Sequence, residues 1–248
     1  MAEQTKELVS VLEKVIPMTI EAAPVRRTPY KLGGVDRPRL GDRIKASKLK
    51  WAEAHWEEAV WRHRSNFKGS GLAWQEIIGF QELLCGARAD KGWGEVDLLA
   101  KSPQGMPVVI EVKSEPTELL LAAVMQAAAY GIALRKSWEP VLKNQWEGLF
   151  GPSSATNSDL WPIVVAAPVS YWQACIGIKG KRTRNKAPEL FWPALDSLVT
   201  GLRKSGLDPS FVAIIHDGAD SNGFPKITGA RNVEVSSPFD GNPWLWQA

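Results

Sequence analysis

Hydrophobic and polar positions follow two periods along the chain, and the switches between them mark its elements. From Lys48 to Arg64 the spacing of Ala52, Trp56, Ala59, Val60 and His63 puts them on one helical face, with Ser47 in the N-cap position. After the Gly69-Ser70-Gly71 break come three short extended runs, near 76–84, 94–100 and 107–113, separated by Asp90-Lys91-Gly92 and Pro103-Gln104-Gly105. Turn residues between apolar runs of this length predict a meander of antiparallel strands. An Ala- and Leu-rich helix is expected from about Thr117 to Arg135, then a Trp-containing helical stretch over 138–148 and a polar loop from Gly151 to Ser158. The remaining pattern predicts a strand (Ile163–Ala167), a helix or turn from Ser170, a basic loop, a helix (Pro188–Ser205), a strand (Phe211–His216) and an extended piece near 226–235.

Ahead of these elements, a short helical pattern (Glu7–Val15) gives way to a Pro-, Gly- and Arg-rich stretch, so residues 1–46 read as an arm. The element order predicts an α/β protein with one central mixed sheet, antiparallel strands first and crossover helices later. Residues 47–248 then form one domain, with a core at 47–135 and an α/β extension at 136–248.

Composition adds limits. With 248 residues, 44% of them hydrophobic and 23% charged, the chain can bury a full core. Its apolar stretches, such as Trp161–Val169, fall far short of the roughly 20 residues needed to cross a bilayer. The polar start, Met1 to Glu7, lacks the basic and apolar regions of a secretory signal, so a cytoplasmic protein is expected. Cys85 and Cys175 have no zinc-ligand spacing and read as reduced, buried thiols. His55, His63 and His216 form no HExxH pattern and read as packing or surface residues. Most of the twelve tryptophans, having apolar neighbours, belong to the core rather than to a base-stacking surface.

Net charge is only +3, but its distribution is uneven. Nine Lys/Arg face two Asp between Arg26 and Lys50, and five of the eight residues from Lys179 to Lys186 are cationic. Either cluster suits phosphate contacts, and either also suits a solvated surface.

The chemistry concentrates in Gly94-Glu-Val-Asp-Leu-Leu-Ala and Pro107-Val-Val-Ile-Glu-Val-Lys-Ser. Strand side chains alternate, so Glu111 and Lys113 share one side while Val108, Ile110 and Val112 take the other. Opposite charges on an apolar strand are costly to bury unless paired or metal-bound. A hairpin can bring Asp97 beside Glu111, and two such carboxylates make a hard oxygen site suited to Mg²⁺ or Mn²⁺. The helix that follows carries Gln126 and Tyr130 at i,i+4 spacing.

This conjunction resembles the PD-(D/E)xK nuclease superfamily, with its restriction-endonuclease-like fold, and the QxxxY element resembles its RecB-like branch. The resemblance covers residues 47–135, and Val96 stands where the literal motif has Pro. It implies a metal held by Asp97, Glu111 and the Val112 carbonyl, with Lys113 as catalytic lysine and Gln126 and Tyr130 supporting the site or touching substrate. An upstream helix acid often joins such sites. Glu57, on a face of the first helix that it shares with Glu53, is the candidate, whereas Glu76 or Glu82 would serve if 71–84 were helical. The implied function is Mg²⁺- or Mn²⁺-dependent phosphodiester hydrolysis of nucleic acid, with DNA favoured. Lys181, Arg182 and Arg184 are then candidate backbone contacts, and a homodimer is a natural arrangement where two strands are cut. Two alternatives stay open: a DNA-binding or assembly module of this fold without cleavage, and an RNA-processing nuclease.

Overall fold

The computed structural model describes residues 2–22, 51–67, 71–83, 95–114, 120–176 and 188–233. The Arg26–Lys50 and Lys179–Lys186 clusters, Ser47, Cys85 and the side chain of Cys175 lie outside the described residues. Six strands form one sheet in chain order: β1 (Glu76–Leu83), β2 (Glu95–Lys101), β3 (Pro107–Val112), β4 (Trp161–Pro168), β5 (Leu207–Ala219) and β6 (Pro225–Asn232). Strands β3, β4 and β5 pair in parallel and the outer pairings are antiparallel, so the sheet is mixed, as the element order predicts.

Helices cover both faces. On one side lie α1 (Ala2–Ala22), α3 (Leu120–Ser137) and α6 (Pro188–Lys204); on the other lies α2 (Glu53–Arg62), followed by a 3-10 turn over Arg64–Phe67. Strand β3 is buried on both faces: Val109 packs with Val124, Ala127 and Ile163, while Val108, Ile110 and Val112 pack with Trp56, Val60 and Val164. This explains why β3 reads as a continuous apolar run broken only by Glu111. Among the described residues, no helix is long and apolar enough to cross a membrane.

The turn between β2 and β3 sets their register. Ser102 Oγ accepts the backbone N–H groups of Gln104 (3.2 Å) and Met106 (3.0 Å). Gly105 takes φ +81°, a value that glycine tolerates, and its carbonyl accepts Trp146 Nε1–H at 2.8 Å. Trp146 belongs to α4 (Lys143–Phe150), which continues α3 through a π-helical turn at Trp138–Leu142. The rings of Trp138, Trp146 and Trp161 meet edge to face, and the indoles of Trp138 and Trp161 donate to the carbonyls of Ala155 and Thr156. Trp172, on α5 (Val169–Ile176), is likewise buried and donates to Ala167 and Val212. These rings are core, as their apolar neighbours suggested.

Several boundaries differ from the sequence reading. Helix α2 starts at Glu53, not Lys48, because Ala52 forms its N-cap: the Ala52 N–H donates to His55 Nδ1 (2.9 Å) while the His55 N–H donates to the Ala52 carbonyl (3.0 Å). Helix α1 extends well beyond Glu7–Val15 and through Pro17, because its Ile16 packs on α6, where Gly201 leaves room for it. Strand β5 runs past His216 because its outer half pairs with β6 although it faces solvent, which leaves no apolar alternation to read.

Candidate metal centre

The register that sets Leu98 opposite Ile110 and Leu99 opposite Val109 carries Asp97, one residue further, to the level of Glu111. The Asp97 carboxylate is fixed there by the Val112 backbone N–H, which donates to Oδ2 at 2.7 Å. Lys113 follows directly after β3, its N–H donating to the Ala166 carbonyl of β4. Its ammonium returns to Glu111: Nζ lies 2.9 Å from Oε1, with both side chains shut off from water. The pair is close by distance, although the approach is too oblique for a well-directed hydrogen bond, and Oε2 of Glu111 has no hydrogen-bond partner.

Two neighbouring helices complete the cluster. From α3, Gln126 offers Oε1 to Lys113 Nζ at 3.5 Å, and Tyr130 stands one turn further along the same helix. From the first turn of α2, Glu53 Oε1 accepts a hydrogen bond from Lys113 Nζ at 3.1 Å. Glu57 sits one turn further along and is buried. One oxygen each of Glu53, Glu57 and Asp97 lies within 4.8 Å of the other two. Glu53 and Asp97 are partly exposed, so the cluster has an open side. Neighbouring Glu58 is different: Arg62 Nε and Nη2 both donate to its Oε1, at 2.8 and 2.6 Å, which balances that buried charge locally.

Crowding four carboxylates around one ammonium has an electrostatic consequence. Two unit charges about 5 Å apart repel by roughly 3 kcal/mol at an effective dielectric constant of 20. Burial, then the nearby charges of Glu111 and Glu57, push the Asp97 carboxyl well above its ordinary range, against the pull of the Val112 N–H and the Lys113 ammonium. Burial also pushes Glu111 up to about 7; Lys113 opposes this, and Glu53 and Glu57 add to it. The Tyr130 hydroxyl is raised too, by burial first and then by Glu111. Glu53, Glu57 and Asp97 are spaced so that they could hold a metal ion, and the Oε2 of Glu111 is a buried oxygen with no hydrogen-bond partner.

Asp97, Glu111, Lys113, Gln126, Tyr130, Glu57 and Glu53 therefore come together. Glu76 does not: residues 76–83 form a strand, and Glu76 pairs with Lys101 at the far end of β2. The condition for choosing Glu76 or Glu82, a helix over 71–84, is not met. Lys181, Arg182 and Arg184 lie outside the described residues. Of the histidines, His55 caps α2, His63 Nε2 lies 3.7 Å from Asp220 Oδ2, and His216 packs edge-on to Trp51 and Trp56. The sequence put Glu57 forward with Glu53 as an alternative, and both stand in the cluster; the signal was their i,i+4 spacing, which gives both acids the same face. The fold and site thus define an α/β protein with a six-stranded mixed sheet and an acidic cluster at one end of its central strands. No family model, curated protein or solved structure matches this chain.

Proposed function

We propose that this chain is a metal-dependent nuclease of the PD-(D/E)xK type, with a restriction-endonuclease-like core, that hydrolyses phosphodiester bonds in DNA. The observation that carries the reading is the meeting of Asp97, Glu111 and Lys113 at one point, with Nζ of Lys113 2.9 Å from Glu111 and Asp97 across the strand pair. Asp97, Glu111 and the Val112 carbonyl would hold Mg²⁺ or Mn²⁺. When bound, the ion supplies Lewis-acid polarisation of the phosphate and a more acidic water. Lys113 directs its ammonium toward the reacting phosphate and offsets charge developing on its oxygens. Gln126 steadies that ammonium, and Tyr130 is proposed to support the site from the same helix. Glu111 holds the Lys113 ammonium close by in a water-poor setting. Lys181, Arg182 and Arg184 are proposed to contact the DNA backbone, which positions substrate without reading sequence.

The test is digestion of labelled single-stranded, duplex, flapped and branched DNA, with RNA alongside, in Mg²⁺, Mn²⁺ or EDTA. Wild type is expected to cut DNA only with metal, and Asp97→Asn to lose on the order of a thousandfold in rate while still binding DNA in Ca²⁺. Binding of DNA by wild type with no cleavage under any condition would replace the reading with a non-cutting module. Cleavage of RNA alone would make the protein an RNA-processing enzyme.

A further inference from the structure

We propose that the turn of the β5–β6 hairpin sets the candidate centre from a distance: it holds Trp51, Trp51 fixes where α2 begins, and α2 carries Glu53 to Lys113. Trp51 is thus a positioning residue. The catalytic consequence rests on the nuclease reading, whereas the positioning can be measured without it. Beyond Ile214, the last residue that β5 pairs with β4, the strand pairs with β6 alone. A two-stranded ribbon is marginal by itself, and helix α2 packs on this one. Two side-chain hydrogen bonds join them across most of the chain. Trp51 Nε1–H donates to the Gly223 carbonyl at 2.9 Å, and past the other end of the helix Asn66 Nδ2 donates to the Ile227 carbonyl at 2.8 Å. Between them, the Arg62 guanidinium lies 4.3 Å over the Phe224 ring and His63 Nε2 is 3.7 Å from Asp220 Oδ2. Helix α2 is therefore hung at both ends from one hairpin, although its Glu53 meets Lys113 at the end of β3. The turn is itself held in shape, because Asp220 Oδ1 accepts the N–H groups of Asn222 (2.8 Å) and Phe224 (3.0 Å).

The rest of the α2 contact cannot fix the helix along its axis. Trp56, Ala59 and Val60 pack on Val108 and Ile110, and apolar contact has no direction. A hydrogen bond has one, and it weakens steeply when stretched or bent. The Trp51 ring is also boxed edge-on by Trp56 (5.7 Å between centroids) and His216 (5.5 Å), which leaves its indole N–H aimed at Gly223. Glu53 follows two residues later, in the first turn of α2, with its side chain 38% exposed. Its 3.1 Å reach to Lys113 Nζ then depends on where the helix starts rather than on packing of its own. A slide of one residue along a helix axis is about 1.5 Å, enough to break that contact.

The test is urea unfolding in EDTA and DNA cleavage in Mg²⁺ for Trp51→Phe and Asn66→Ala, each alone and combined with Glu53→Ala. Trp51→Phe keeps a ring and loses the donor. It is expected to lower the urea midpoint, and to lower it by no more than about half as much in the Glu53→Ala background. Asn66→Ala, which frees only the far end of α2, should lower the midpoint equally in both backgrounds and leave cleavage at the wild-type rate. Trp51→Phe should reduce kcat about tenfold, keep KM within about twofold, and add no loss to that of Glu53→Ala. Equal midpoint shifts for Trp51→Phe in the two backgrounds would overturn the proposal and leave the nuclease reading standing. Coupled midpoints in a chain that cuts no DNA would uphold the positioning and overturn the nuclease reading.

Discussion

Nζ of Lys113 stands 2.9 Å from Oε1 of Glu111, two residues back along the chain, and neither side chain meets solvent. Removing one member of such a pair strands the other charge in a medium of low polarity, which costs far more than removing both. Lys113→Met is therefore expected to destabilise the metal-free protein by about 3 to 5 kcal/mol at pH 8. Glu111→Gln should cost little or nothing at this pH, because Glu53 still accepts from the ammonium and the neutral amide avoids ionising a buried carboxyl. The double variant should lie well above the sum of the singles. Urea unfolding of the four proteins gives the coupling directly, and simple additivity would mean that the two charges do not depend on each other.

Stability should also respond to pH in a definite direction. The Glu111 carboxyl ordinarily titrates at 4.5 and is pushed up to about 7 in the fold, and Asp97 moves the same way. On raising the pH, the unfolded chain releases these protons first, so the contribution to stability is full below 4.5 and is lost as pH passes through about 7. For Glu111 alone the loss amounts to about 3 kcal/mol. In EDTA the melting temperature should fall between pH 5 and pH 7.5, and Glu111→Gln should flatten that fall. A melting temperature that rises over this range in wild type would contradict the assignment.

Helix α3 depends on a close approach to β4 at Gly131, where an added Cβ would meet Ile163 Cγ2 at 2.6 Å and Leu207 Cδ2 at 3.3 Å. Gly131→Ala gains up to about 1 kcal/mol of helix propensity but overpacks this contact, an effect that typically costs about 1 to 3 kcal/mol. A net loss of stability is expected. Because Gln126 and Tyr130 ride on the same helix, the nuclease proposal predicts that DNA cleavage falls with it. Gly148→Ala, in α4, has nothing within 4 Å of the new methyl and should gain stability instead. Thermal melting of both variants distinguishes packing from propensity; equal shifts would show that the approach at Gly131 is not tight.

Much of the candidate centre was legible because strand periodicity is strict. Two residues apart on a strand means the same side, so Glu111 and Lys113 could be paired from spacing alone, and the short Pro103-Gln104-Gly105 turn implied that Asp97 returns beside them. The helix acids were less determined. Spacing of i,i+4 puts Glu53 and Glu57 on one face but does not say which comes nearer the sheet, and a short apolar run such as 76–83 has no length to separate strand from helix. Packing decided these points. With 76–83 in the sheet, Glu76 is carried to the far end of β2, and with Ala52 capping α2, Glu53 falls in the first turn beside Lys113.

By itself the sequence determined the α/β class, the order of the strands along the chain and which residues are candidates for chemistry, since these follow from local periodicity and turn chemistry. Only the tertiary structure decided the environment of those residues: that Glu111 is wholly buried with one oxygen unpartnered, that Glu53 reaches Lys113, and that Glu58 is balanced by Arg62 instead of joining the cluster. The physical reason is that burial and charge proximity depend on contacts between segments far apart in the chain, here α2, β2, β3 and α3, and no local pattern encodes the distance between them.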